Sequence, residues 1–183
     1  SGQNGSIDVF GISKQETRSG KNLLENEITY ASSSGVSYVK NNDGSVVVNG
    51  TANPRSSIIL NTMSVLRLKA NTQYRLTGCP ANGSNSTYMI ATNVAGVNTH
   101  YDTGNGVNFS FEEDTEVYIE IRIAAGTTIS NLIFYPMVRL ANNGDDTYEQ
   151  YGAMPSPRFI SDIENITGDI DITTSNKNLF NFN

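Results

Sequence analysis

Apolar and polar positions alternate with a period of two along several short stretches of this chain, and turn-forming residues separate the stretches. The clearest stretch runs from Glu116 to Ile123. Val117, Ile119, Ile121 and Ile123 share one face of a strand, and Tyr118, Glu120 and Arg122 share the other. Such alternation predicts one face in a core and the other toward solvent or a partner. Shorter strands are predicted at Ile28–Ala31, Val36–Lys40, Ser45–Asn49, Ser57–Asn61, Gln73–Thr77 and Thr87–Thr92. Asp43-Gly44 predicts a tight antiparallel hairpin between Val36–Lys40 and Ser45–Asn49, because that pair supplies the positive φ such turns need. Ala125-Gly126-Thr127 turns the long strand into a segment from Ile129 to Leu140. There Leu132, Phe134, Pro136, Val138 and Leu140 form one face, and Ile133, Tyr135, Met137 and Arg139 the other. Pro136 has no N–H for a ladder, which predicts an edge or a bulge. No stretch carries a convincing helical period. Strands at this regular spacing predict an all-β sandwich or barrel.

Composition narrows the function. Charged residues are 16% of the chain, against ~25% in an average domain. Asparagine, serine, threonine and glycine replace them, giving a polar but weakly charged surface. The net charge is −6 and the 12 lysines and arginines do not cluster. Binding to a phosphate backbone needs concentrated positive charge, so no nucleic-acid partner is expected. No apolar run approaches the ~20 residues of a membrane span, so no membrane partner is expected either. Cys79 is the single cysteine. It excludes an internal disulfide and a multi-cysteine metal site. That usage suits a protein made in a reducing cytoplasm that works outside the cell.

The two ends of the chain echo each other. Gly5-Ser6-Ile7-Asp8-Val9 followed by Lys21-Asn22-Leu23-Leu24 matches Gly168-Asp169-Ile170-Asp171-Ile172 followed by Lys177-Asn178-Leu179-Phe180. Self-similarity of this kind is the signature of a tandem array. The expected organisation is a connector at 1–20, one sandwich module at 21–151, a linker and connector strand at 152–176, and the truncated start of a next module at 177–183. The last stretch, without its sandwich, is expected to fray or to be borrowed by a neighbour.

Candidate chemistry is sparse. Nucleophilic catalysis needs a nucleophile with a base in reach, and Cys79 with His100, the lone histidine, is the one such pair. The plainer reading makes Cys79 a small buried apolar residue and His100 a loop residue. Glu112-Glu113-Asp114 and Asp145-Asp146 offer paired carboxylates, yet both sit in apparent turns, where carboxylates are usually solvated. No enzyme is expected. Saccharide recognition needs aromatic faces for sugar rings and planar polar groups for hydroxyls. Tyr118, Glu120 and Arg122 supply these types on one strand face. Tyr135 and Arg139 extend the patch if their strand lies alongside, and Tyr88, Tyr101 and Asp102 are candidates for its rim. The plainer alternative packs the tyrosines under connector segments and leaves Glu120 and Arg122 as a solvated face.

The order of several segments resembles a repeated module in tail and minor structural proteins of phages and prophages of Gram-positive bacteria. These segments are Lys21 to Asn26, Asn42 to Ala52, Leu68 to Gly78, Ala124 to Arg139, Asp146 to Glu149, Pro155-Ser156-Pro157 and the second Lys-Asn-Leu-Phe. The resemblance covers about residues 19–183. It implies an antiparallel jelly-roll β-sandwich similar to carbohydrate-binding modules with a galactose-binding-like fold, with extended connectors at both ends. Many such modules place tryptophan at the sugar platform, whereas this chain has nine tyrosines and no tryptophan. The resemblance also implies a virion location with other tail modules as partners, and no particular ligand. The expected role is to bind a saccharide of the bacterial cell surface or to position the receptor-binding apparatus, with a homotrimer as one assembly. The resemblance implies no required cofactor. A structural calcium is the one ion it brings in, with Asp145, Asp146 and Glu149 as its ligands. A structural spacer or oligomerisation module without a ligand is the alternative.

Overall fold

The structure is a computed structural model that describes residues 20–142 and 144–152. The connector at 1–20 and the segments at 152–176 and 177–183 lie, apart from Gly20 and Gly152, outside the described residues. Among the described residues twelve strands form, all paired antiparallel, and no helix occurs. They are β1 (Tyr30–Ser33), β2 (Val36–Lys40), β3 (Val46–Thr51), β4 (Ser56–Ile59), β5 (Leu66–Leu68), β6 (Tyr74–Thr77), β7 (Tyr88–Val94), β8 (Val97–Asp102), β9 (Val107–Phe109), β10 (Thr115–Ile123), β11 (Thr128–Phe134) and β12 (Met137–Leu140).

One sheet has the order β1-β2-β3-β11 and another β4-β10-β7-β8, with β5 also on β10. The third is β12-β6-β9. The sheets share one core, in a sandwich-like arrangement. Val36, Tyr38, Val46, Val48 and Phe134 reach it from the first sheet. Ile90, Val117, Ile119, Ile121 and Ile123 reach it from the second, and Leu76, Phe109 and Val138 from the third.

The β2–β3 hairpin forms as the alternation predicts, with Val36, Tyr38, Val46 and Val48 all buried in the core and Tyr38 opposite Val48. Its loop takes positive φ at Gly44 alone, and Asp43 instead accepts the Ser45 N–H and hydroxyl. Two other hairpins turn on two residues with positive φ, Ser34-Gly35 between β1 and β2 and Ala95-Gly96 between β7 and β8. Along one edge of β10, the Asn61 side chain fills the gap between β4 and β5. It accepts the Ile119 N–H and donates to Val117 O, as a strand backbone would.

The expected strand from Ile129 to Leu140 is two strands in two sheets. β11 pairs with β3, and β12 pairs with β6. Pro136 lies at the break, where its missing N–H ends the ladder. Tyr135 N–H donates to Gly78 O. The approach is so close that a Cβ on Gly78, which has φ +107°, would stand 1.8 Å from Tyr135 O. The expected facing also changes. Val138 points into the core, yet Met137 and Arg139 on the opposite side are buried too. The segment at 144–150 lies against Arg139 and Tyr135: Asp146 binds Arg139, and the Tyr148 ring lies 5.2 Å from Tyr135.

This last segment and the first described one hold each other. Asn22, 4% exposed, donates to Glu149 O and Pro136 O and accepts from Leu24 N–H and Val138 N–H. Lys21 N–H donates to Glu149 Oε1, and Lys21 Nζ meets Asp145 at 2.6 Å. Leu23 N–H donates to Val138 O.

Candidate functional site

The outer face of the β4-β10-β7-β8 sheet is the surface on which the structure gathers aromatic and planar polar groups. Strand pairing places its residues. Tyr118 stands opposite Asn93, Glu120 between Ala91 and Ile59, and Arg122 between Met89 and Ser57. Residues directly opposite on paired strands share a face, so all of these point away from the core that Ile119 and Ile121 enter.

A bulge in β8 completes the face. Ala91 pairs with Tyr101 and Asn93 with Asn98, so β8 spends one extra residue across Thr92. An extra residue re-aims the side chains beyond it. It carries Asn98 as well as Tyr101 to the outer side. The Thr92 hydroxyl accepts the His100 N–H within the bulge.

Glu120 sits at the centre and is only 6% exposed. Its Oε2 accepts from the carboxamides of Asn93 (3.2 Å) and Asn98 (3.0 Å). Oε1 has no partner among the described residues. Asn93 is itself held by its Oδ1, which accepts the Gly96 N–H of the turn. Tyr101 hydroxyl donates to Asn98 O, while the Tyr118 hydroxyl has no partner among the described residues. The face therefore has a fixed carboxylate, two fixed carboxamides, a guanidinium at one end and two tyrosine rings.

The other residues expected beside this patch are elsewhere. Tyr88 pairs with Ile123 and shares its inward face, packing edge-on to Phe134. Its hydroxyl donates to Ala81 O. Asp102 pairs with Ile90, also inward, and is 1% exposed. Its carboxylate accepts the N–H groups of Cys79, Gly104 and Gly106 and so organises two loops. Tyr135 and Arg139 lie around the break at Pro136, with strands that pair β3 and β6 and not β10. Arg139, 2% exposed, donates to Leu140 O and Asp146. The sheet switch at Pro136 and the inward parity of Tyr88 and Asp102 thus leave Tyr118, Glu120 and Arg122 as the core of the patch, with Tyr101 beside it.

The three expected calcium ligands face cations and N–H donors of the chain itself. Asp145 accepts from Lys21 Nζ and Thr147 N–H, which hold its carboxyl well below the usual range. Asp146 is gripped by Arg75 through Nε (2.8 Å) and Nη2 (2.8 Å) and by Arg139. The Arg75 bonds chiefly, and Arg139 after an opposing cost of burial, hold its carboxyl down at about 2. Glu149 accepts Lys21 N–H. As placed, these residues do not fit a calcium site, because each carboxylate already accepts from donors of the chain: Asp145 and Glu149 from two different atoms of Lys21, Asp146 from Arg75 and Arg139. Among the described residues no three His, Cys, Asp or Glu side chains converge as a metal requires.

Cys79 and His100 are each engaged separately. Burial, with Asp102 nearby, pushes the Cys79 thiol up to about 12, leaving almost no thiolate at neutral pH. His100 lies on β8 and not in a loop. Its ring packs 5.1 Å from Phe109 and 5.5 Å from Phe111, and burial lowers its pKa. Asp114 of the acidic turn bonds Lys69 and the Ala70 N–H.

Compared with known protein families, curated proteins and solved structures, the chain matches none of them.

Proposed function

We propose that the chain is a non-enzymatic module of a phage or prophage tail protein, and that it binds a saccharide of the bacterial cell surface through the outer face of the β4-β10-β7-β8 sheet. The observation that carries this reading is the pinned Glu120, whose Oε2 is occupied by Asn93 and Asn98 while Oε1 is left for a ligand. A group already fixed loses little freedom on binding. Tyr118 and Tyr101 supply amphipathic rings against which a sugar can stack. The architecture that goes with this reading is a galactose-binding-like jelly roll. Its location is the virion, after synthesis in the bacterial cytoplasm. Its partners are neighbouring tail modules, with a homotrimer as one arrangement.

The test is a glycan array with the unmodified chain and the double variant Tyr118→Ala/Arg122→Ala. Binding to bacterial surface glycans is expected in the first and a loss of about tenfold or more in the second, with the circular dichroism spectrum unchanged. Equal binding by both proteins would remove the face from the proposal.

A spacer without a ligand is the second reading, and the mutual hold of residues 20–24 and 144–150 favours it. That hold makes a closed unit suited to serial connection. A chain that binds no glycan and forms a stable trimer in solution supports the spacer. Turnover of any polysaccharide would sink both.

A further inference from the structure

At one end of the same face, Arg55, Asn85, Met89, Arg122, Ala124 and Ala125 line a cavity of about 240 Å3. Arg122 pairs with Ser57 across β10 and β4, and Arg55 stands two residues before Ser57. Arg55 lies just before β4, beyond the end of the ladder, and the two arginines come together as lining of this one cavity. No carboxylate lines this cavity. Neither arginine has an ion pair or hydrogen bond among the described residues, and Arg122 Nε is buried without an acceptor. The nearest acidic group along the strand, Glu120, is turned to Asn93 and Asn98.

The contrast with the buried Arg139 is informative. Arg139 is met by Asp146, which also takes Arg75. In a chain with 18 acidic residues and 12 basic ones, two like charges around one cavity with no counter-charge leave the chain short of an anion there. Guanidinium groups bind oxyanions through paired, charge-assisted hydrogen bonds, and arginine is the residue suited to that geometry. The cavity is smaller than the ~300–1,000 Å3 that holds a whole ligand. Its size fits one charged group of a longer ligand lying along the face.

We infer that Arg55 and Arg122, with the Asn85 carboxamide, form an oxyanion subsite that takes a phosphate or carboxylate group of an acidic surface polymer. This inference rests on the saccharide-binding reading above and names the class of saccharide, one that is anionic. Arg122 and Arg55 hold the oxyanion, Glu120 and the carboxamides bond neutral hydroxyls, and Tyr118 lies at the opposite end of the face.

The experiment is calorimetric titration of the full chain with three probes of similar length: an oligo(glycerol phosphate), an oligogalacturonate and a neutral oligosaccharide. Each is repeated with Arg55→Gln, Arg55→Lys and Tyr118→Ala, after thermal melts establish that the variants fold. At least one anionic probe is expected to bind about tenfold or more tightly than the neutral one at low salt. Arg55→Gln removes that preference, and Arg55→Lys restores part of it. Whether the phosphate or the carboxylate probe binds identifies the source of the oxyanion. An unchanged preference in Arg55→Gln, or equal binding of neutral and anionic probes, overturns the subsite while leaving the saccharide face standing. An anionic preference that depends on Arg55 and ignores Tyr118→Ala retains the subsite and removes the saccharide face. No binding of any probe removes both.

Discussion

Asn22→Ala is expected to cost about 3–4 kcal/mol of folding stability, a large share of the ~5–15 kcal/mol that holds a domain together. The cost comes from what the alanine leaves behind. Asn22 accepts the N–H groups of Leu24 and Val138 and donates to the carbonyls of Pro136 and Glu149, in a site almost closed to water. A buried backbone donor that loses its acceptor costs ~1–3 kcal/mol, and two lose theirs at once. Asn22→Asp keeps both acceptor contacts but sets a carboxylate against two carbonyl oxygens, so it is expected to fall with alanine rather than with the native chain. Urea denaturation measures the effect as a lower midpoint at similar slope. A loss below about 1 kcal/mol in Asn22→Ala would mean that water replaces the carboxamide, and the hold between the two segments would then be incidental.

Acid unfolding is the second large effect. The Asp146 carboxyl, held at about 2 by Arg75 and then Arg139, titrates near 3.9 in an unfolded chain. A folded-state pKa below the unfolded one contributes stability that is fully present above about pH 4. That contribution is lost as the pH falls toward 2. Asp43, Asp114, Glu27 and Asp145 are shifted in the same direction and add to the same limb. Asp146→Asn removes one share, so its stability should fall less steeply between pH 4 and pH 2. At pH 7 it is expected to cost about 2–3 kcal/mol, below the ~3–5 kcal/mol of a broken buried pair because the Asp146 side chain is 45% exposed. Thermal melts of both proteins at pH 2, 3, 4 and 7 make the comparison. Parallel pH profiles would show that Asp146 is not a source of the acid limb.

Local alternation carried part of this architecture and long-range register carried the rest. β10 and the β2–β3 hairpin are readable because their apolar positions keep a period of two and a turn sequence joins the pair. β8 is not readable in that way. Its turn is Ala95-Gly96, in which alanine takes a φ of +49° that its side chain disfavours, and its apolar positions are broken by a bulge. Asn93 Oδ1 accepts Gly96 N–H across the turn, a local bond that the apolar pattern does not signal. The same holds for the site. Tyr118, Glu120 and Arg122 share a face by parity alone. Asn93 and Asn98 join them through pairing and a bulge, and no spacing in the chain signals either. Tyr88 and Asp102 face inward because of the register between β7, β8 and β10, which alternation within one strand does not contain. Arg139 was separated from the patch by a change of sheet at Pro136, where the missing N–H marks a break but not which strand comes next.

The hold between residues 20–24 and 144–150 also decides how the unit meets mechanical force. Gly20 and Gly152 stand at one corner, so tension between them pulls that corner open. Lys21–Asp145, Lys21–Glu149 and the bonds of Asn22 lie first in line. Such contacts peel one after another and share little of the load, whereas paired strands sheared along their length resist together. The β-sheets, and the face bearing Glu120, stay out of the load path until the corner has parted. The corner would open while the face bearing Glu120 kept its shape.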